Sequence, residues 1–325
     1  MKVLVTGGNG FLGRAVVAEL VRRGHEVLSM SRRLAPDLPV RTITADLRNC
    51  EAVERAVAGH EAVVHCAALT GLAGPRADFW RTNVEGTRHV LAACRLHQVP
   101  RLVHTSSPSV VFDGRDHRRA DESLPYARRF LAAYPETKAV AEREVLAANS
   151  PVLATLALRP HLVLGPGDEQ LLPRLVARAR AGRLRIVCGG ANEISFTWVE
   201  NAAAAHADAL ERLAPGAACA GRAYFVAQAE PVALWPWLTE LFARAGVPAP
   251  GRRVPLALAY GAGAACELAW ALLRREGEPP MTRFLALQLA RSHSYDCAAA
   301  RRDLGYVERV STREASERLA ALLGA

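Results

Sequence analysis

The chain has 325 residues, half of them hydrophobic and few aromatic, enough for one large core or two domains. Its net charge is +9, but the arginines are spread along the whole length, without a basic tail or aromatic interleaving. That pattern argues against a nucleic-acid binder and for an anionic cofactor, with an anionic substrate or membrane surface as further uses of the excess charge. Seven cysteines (50, 66, 94, 188, 219, 266, 297) form no C-x-x-C pair, and the odd count fits free thiols in a reducing cytoplasm. A first strand beginning at Lys2 is expected to leave no room for a leader.

Val3-Leu4-Val5 is an apolar run suited to a buried parallel strand. Gly7, Gly10 and Gly13 follow at G-x-x-G-x-x-G spacing, and the apolar pattern then turns helical at Phe11, Leu12, Val16, Val17 and Leu20. A strand that turns through glycines into a helix gathers free N–H groups and the positive helix end at one point, which suits a pyrophosphate. The glycines serve a tight turn, close approach of the phosphate, and close packing of helix on strand. Without the flanking strand and helix, the same spacing would read as an unliganded turn.

Val27–Met30 is the second strand. In NAD-binding folds an acidic residue near its end holds the ribose 2′-hydroxyl. Here that position falls on Ser31, followed by Arg32 and Arg33. A hydroxyl and two guanidiniums bind a 2′-phosphate that a carboxylate would repel. The expected cofactor is therefore NADP(H); the alternative is a pair of solvated arginines at a strand end. Val40–Thr44 is a third strand leading to Asp46-Leu47, which can face the adenine. Helix 51–58, strand Ala62–His65 and the small residues Cys66-Ala67-Ala68 follow, the last letting the middle of the cofactor lie on the backbone. Asn83 to Thr87 opens another amphipathic helix through Cys94, and strand Arg101–Thr105 delivers Ser106 and Ser107. This alternation predicts an α/β fold with a Rossmann-like, doubly wound parallel sheet.

Tyr134-Pro135-Glu136-Thr137-Lys138 leads into helix 138–148. Tyrosine and lysine four apart share a helix face, and Pro135 is tolerated in the first turn. The chain has only two lysines, Lys2 and Lys138. A chain that otherwise uses arginine keeps lysine where a compact charge with a shiftable pKa serves; the bland alternative is an ordinary surface lysine.

After Gly167 the pattern changes. Helix 169–181 is basic and amphipathic. Strand Arg185–Val187, helix 201–212 and strand Ala223–Val226 are expected to return to the Rossmann core. From about Pro231 the chain is helical and Ala/Leu-rich, with turns at 246–251 and 276–280. The expected division is a dinucleotide-binding domain over 1–167, with returns near 185–226. A smaller, mainly helical substrate domain from 168–184 and 231–325 would lie over the carboxyl ends of the sheet. Within it, Val254–Leu273 is an almost unbroken apolar run, interrupted by Glu267 and bracketed by Arg252-Arg253 and Arg274-Arg275. As a helix it would be about 30 Å long, nominally enough to span a bilayer. Its Ala and Gly content and a central carboxylate costing roughly 3 kcal/mol on insertion argue against spanning. The expectations are a core helix, or a helix with one apolar face on a membrane surface or partner enzyme.

Together these residues resemble the extended short-chain dehydrogenase/reductase superfamily over essentially the full length. The resemblance rests on the Gly7/Gly10/Gly13 loop, Ser107, Tyr134-x-x-x-Lys138, Leu158-Arg159-Pro160 and Gly165-Pro166-Gly167. Thr197-Trp198-Val199-Glu200-Asn201, with Glu200 for the usual aspartate, and Leu304-Gly305-Tyr306 add to it. The chain is most similar to the 3β-hydroxysteroid dehydrogenase-like branch. It is closer still to the bacterial 2-alkyl-3-oxoalkanoate reductases of olefin biosynthesis, through Thr105–Val110, Leu164–Asp168, Leu171–Arg174 and Gly277–Leu285. The resemblance implies that Pro160 contacts the nicotinamide and that Asn83 supports a proton relay, a helix N-cap being the alternative for Asn83. It also implies a homodimer and partner enzymes of a fatty-acid-derived pathway. The expected cofactor site comprises Gly7, Gly10, Phe11, Leu12, Gly13, Ser31, Arg32, Arg33, Asp46, Leu47, Ala67, Ala68, Asn83, Thr105, Tyr134, Lys138 and Pro160, with no metal.

The chemistry expected of Ser107, Tyr134 and Lys138 follows from their groups. A free tyrosine has a pKa of about 10, and an adjacent ammonium lowers it. Lys138 is expected to do this and, by the resemblance, to hold the nicotinamide ribose. Tyr134 is then general acid in carbonyl reduction or base in alcohol oxidation, and Ser107 donates to the carbonyl oxygen. The implied reaction is NADPH-dependent reduction of a hydrophobic β-keto acid to the 3-hydroxy acid, its anionic head suited to the arginine-rich helix 169–183. The alternatives are 3β-hydroxysteroid dehydrogenation and nucleotide-sugar epimerisation or dehydration, which use the same triad. Trp235, Trp237 and Trp270 in a Leu/Ala-rich domain argue against a second nucleotide. An NADP-binding sensor without catalysis is the alternative outside enzymes, and the intact triad argues against it.

Overall fold

The computed structural model describes residues 1–35, 37–71, 73–168, 171–273, 275 and 277–324. Seven strands form its central sheet: Lys2–Thr6, Glu26–Ser31, Arg41–Thr44, Ala62–His65, Arg101–Thr105, Ala154–Pro160 and Ala223–Val226. In space they lie seventh, sixth, fifth, fourth, first, second, third, every neighbour parallel. The first, fourth and sixth strands are buried almost throughout and mostly apolar, as expected of strands covered on both faces. Helices Phe11–Arg22 and Val199–Arg212 cover one face, burying Val16, Val17, Leu20, Ala203 and Leu210 against Val3, Val5 and Leu156. Helices Cys50–Val57, Gly86–Leu96 and Ala133–Ala147 cover the other, around Leu4, Met30, Val63 and Leu102. The strand order reverses between the first and fourth strands, so a crevice opens at their carboxyl ends, where such sheets bind ligands.

A second apolar cluster belongs to the later chain. Helices Leu171–Arg180, Leu234–Arg244, Leu256–Leu272, Arg283–Ala290 and Thr312–Gly324 contribute to it, with Phe196, Trp198, Trp235 and Phe242 among its fully buried side chains. Two expected boundaries change. Strand Arg185–Val187 does not return to the central sheet: it pairs with Gly251–Val254, and Val187 is buried in the second cluster. Conversely, the segment after His293–Tyr295 leaves the expected substrate region. Helix Ala298–Leu304 packs on the edge strand Ala223–Val226, and Tyr295, Cys297, Leu304 and Tyr306 are buried in the cluster of the sheet. An edge strand with an apolar outer face needs cover, and the C-terminal segment supplies it.

Two helices start earlier than expected. The Tyr134 helix begins at Ala133, putting Tyr134 and Pro135 in its first turn. Asn83 does not open a helix: helical backbone runs from Arg76 to Leu96, with a π-helical stretch at Trp80–Glu85. Residues 169 and 170 of the expected helix 169–181, and 274 and 276 of the expected bracket and turn, lie outside the described residues. Among the described residues no helix is long and apolar enough to cross a membrane.

Candidate active site

The crevice begins at the glycine loop. Gly7 has φ +72° and stands so close to Ala67 that a Cβ would lie 2.8 Å from its backbone. The turn therefore needs a residue that is at ease in the left-handed region and carries no side chain. A Cβ on Gly13 would lie 2.0 Å from the Gly7 carbonyl, so this glycine lets the helix start pack on the turn. The first helical bond is Arg14 N to Gly10 O, which leaves the N–H groups of Phe11, Leu12 and Gly13 without intrahelical acceptors. Gly10 carries no side-chain cap, and the first turn has no acidic residue. This loop fits a pyrophosphate on its own geometry. Gly8 was not among the expected residues. A Cβ there would fall 2.4 Å from Ser29 Oγ; the doubled glycine at 7–8 was the signal for it.

At the end of the second strand Ser31 Oγ accepts from Asn9 N at 3.0 Å, tying this strand to the loop. Arg32 and Arg33 are exposed. Asp46 is held by Arg48, whose Nη2 lies 2.7 Å from Oδ2, and with the Arg32 charge this keeps its carboxyl below the ordinary range. Leu47 turns its side chain into the core, against Gly86, rather than toward the crevice. Ala67 and Ala68 line the loop after the fourth strand. Pro160 is buried at the end of the sixth strand.

Asn83 is 2 % exposed and fully engaged. Its Nδ2 donates to the Leu69 carbonyl and to Thr137 Oγ1, both at 3.0 Å, and its Oδ1 accepts from Leu69 N at 2.7 Å. It is not an N-cap, since helical backbone both precedes and follows it. It clamps the loop bearing Ala67 and Ala68 to the helix that carries Tyr134.

Ser107 stands two residues past the fifth strand, at the head of the 3₁₀ turn Pro108–Val110. Its Oγ accepts from Ser109 N at 3.2 Å, and its hydroxyl stands near enough to Tyr134 to favour the phenolate. Burial pushes the Tyr134 phenol above its ordinary pKa, and the neighbouring Ser107 hydroxyl opposes this. Lys138 does not lower it as expected, because Nζ points into the sheet. There it donates to the Thr105 carbonyl at 2.6 Å and lies 3.1 Å from His104 Nε2. Burial brings Lys138 down to about 8, against the opposing charges of Glu142 and Cys66. Thr105 Oγ1 bonds Cys66 Sγ and His206 Nε2. The buried histidines 65, 104 and 206 around this lysine were not anticipated; a histidine beside Thr105 in the fifth strand was the one visible sign.

Two of the four arginines in the stretch 169–183 expected to receive an anionic head have partners within the chain. Arg174 pairs with Glu278, and Arg178 donates to the Pro280 carbonyl at 2.6 Å. Both tie helix Leu171–Arg180 to the 278–280 segment, whose Glu278 also stands against Gly71. A cavity of about 610 Å³ lies elsewhere, between residues 121–126 and Arg222, Arg302 and Asp303, and holds none of the expected site residues.

Comparison with known proteins agrees with this geometry. The chain is 50% identical to the 2-alkyl-3-oxoalkanoate reductase of Stenotrophomonas maltophilia (strain K279a) over 327 residues, covering 99% of each. It is 35% identical to the decarboxylating sterol-4-alpha-carboxylate 3-dehydrogenase of Mus musculus, covering 98% of this chain and 89% of that one. The solved structure of MoeE5 in complex with UDP-glucose and NAD shares the fold, with a TM-score of 0.76 at 24% identity over 99% of this chain and 98% of that one. The 3-beta hydroxysteroid dehydrogenase/isomerase family matches residues 4–258. The chain belongs to that family and is an NAD(P)-dependent oxidoreductase of the extended short-chain dehydrogenase/reductase type.

Proposed function

We propose that this protein reduces hydrophobic 2-alkyl-3-oxo acids to the 3-hydroxy acids with NADPH. The observation that carries the reading is the hydroxyl pair of Ser107 and Tyr134, with Lys138 one turn further along the same helix. The 50% identity to a protein named for this reaction supports the substrate class. A nicotinamide, when bound, supplies the hydride. The chain's own residues do the rest. Ser107 Oγ, oriented by Ser109 N, would turn its proton from the Tyr134 side to the carbonyl oxygen as charge develops there. Tyr134, kept protonated by burial, gives its proton to that oxygen. The Phe11–Gly13 N–H groups would hold the pyrophosphate, Ser31, Arg32 and Arg33 the 2′-phosphate, and Lys138 the nicotinamide ribose. NADPH oxidation should be followed with 2-alkyl-3-oxo acids of increasing chain length, a 3-oxosteroid and a UDP-sugar in parallel. Activity rising with chain length supports the reading; turnover of the UDP-sugar alone refutes it. NADPH binding with no turnover of any carbonyl favours the sensor.

Helix Leu256–Leu272 favours a second element of this reading, contact with an anionic membrane surface. It is not the core helix that one expectation made it: only Ala259 and Gly263 are buried, while Leu258, Leu268, Leu272 and Leu273 are each at least 60% exposed. Glu267 lies on the packed side, where it accepts from Arg283 N and Nε. The outer face is thus apolar and flanked by exposed Arg252, Arg253 and Arg275, the composition of a helix that lies in a bilayer interface.

A further inference from the structure

A deeply buried ammonium needs acceptors, and the fifth strand offers Lys138 two. Lys138 is 2 % exposed and His104 0 %. Nζ donates to the Thr105 carbonyl at 2.6 Å and stands 3.1 Å from His104 Nε2. An ammonium has only N–H groups to give, so Nε2 must present its lone pair and the ring proton must sit on Nδ1. That Nδ1 has no hydrogen-bond partner among the described residues. An unpaired buried N–H is costly, and the tautomer that incurs this cost is the one that serves the lysine. The charged and titratable groups facing the pair are Glu142 on the lysine's own helix, Cys66 and His65 at the end of the fourth strand, and His206 on helix Val199–Arg212. The described hydrogen bonds of Nζ go to the fifth strand alone.

We propose that His104 is a positioning residue for Lys138. Its Nε2 and the Thr105 carbonyl take two of the three ammonium N–H groups, keep the lysine protonated, and leave the third N–H for the cofactor side of the crevice. This rests on the reading of Lys138 as part of the reductase site.

The presence of only two lysines makes a direct test practical. In protein labelled with ¹³Cε-lysine, Lys2 and Lys138 give two signals, and their titration is read by NMR without any turnover. Losing one hydrogen bond to a charged group should lower the Lys138 midpoint by about one pH unit or more in His104→Phe. The alkaline limb of NADPH-dependent reduction should move down with it. His104→Gln, whose amide oxygen accepts, should restore most of both shifts. If His104→Phe does not fold, His104→Leu is read in the same way. A Lys138 midpoint that stays in place while the melting temperature falls in every variant would make His104 merely structural and overturn the proposal. A shifted midpoint in a protein that binds NADPH but turns over no carbonyl substrate would instead leave His104 in its role and remove the reductase reading.

Discussion

At the scale of single residues, two groups set the pH behaviour of this site, and burial moves them in opposite directions. The Tyr134 phenol is raised, so it stays protonated through neutral pH and suits the acid of a reduction. Lys138 is lowered to about 8, so its ammonium is lost as pH rises through that value. Reduction is expected to be flat near neutrality and to fall above about pH 8, measured as kcat/KM with saturating NADPH. Tyr134→Phe deletes the proton donor and little volume. It should lose about 10²–10⁴-fold in turnover while NADPH still binds, as read by fluorescence titration; retention of more than about a tenth would mean another acid. Cofactor choice is also decided by individual side chains. Ser31 Oγ accepts from Asn9 N and still has its own proton to give, and Arg32 and Arg33 add the cationic pair for a 2′-phosphate. Arg32→Asp with Arg33→Ala should invert an NADPH preference, and equal use of NADH and NADPH by the unmodified protein would exclude that role.

At the scale of elements, the glycine loop and the exposed helix respond differently to substitution. Gly13→Ala places a methyl 2.0 Å from the Gly7 carbonyl, against backbone that cannot swing aside. The helix start must then lift off the turn, so cofactor binding should be lost together with a large drop in melting temperature. On helix Leu256–Leu272 the outer leucines make few contacts, and Leu268→Glu with Leu272→Glu should change stability by no more than about 0.5 kcal/mol each. The same pair should abolish co-sedimentation with phosphatidylserine vesicles. Binding by the unmodified protein should be weak and fall with added salt, since flanking arginines supply much of it. No binding at low salt would remove the membrane contact and leave the apolar face without that role.

At the scale of the whole molecule, the two ends of the chain meet at Glu19. This carboxylate is 8 % exposed. Burial alone would raise its pKa, but hydrogen bonds from Arg22, Arg309 and Arg23 carry it far below the ordinary range. Arg309, with Nη2 2.7 Å from Glu19 Oε1, comes from the segment that crosses back over the sheet. Glu19→Gln leaves three guanidiniums short of their shared partner and should cost about 3 kcal/mol at neutral pH. The folded pKa lies below the unfolded one, so this contribution is complete above about pH 4.3 and lost as pH falls further. The urea midpoints of wild type and variant should therefore converge in acid.

Much of this architecture was present in local pattern. The apolar strand before Gly7, the glycine spacing and the Tyr134–Lys138 pair are short-range features, and periodicity reads them because their geometry is set by neighbours in the chain. The parallel sheet followed from strand–helix alternation for the same reason. What the sequence could not reveal depended on partners far away in it. Whether strand Arg185–Val187 joins the central sheet is decided by Gly251–Val254. Asn83 became a clamp because Leu69 and Thr137 surround it, and Arg174 and Arg178 were taken up by the segment at 278–280. The direction of Lys138 was decided in the same way. Its spacing from Tyr134 put both on one helix face, but the two acceptors on the fifth strand drew the ammonium into the sheet. Helical period describes a face; only packing determines what that face meets.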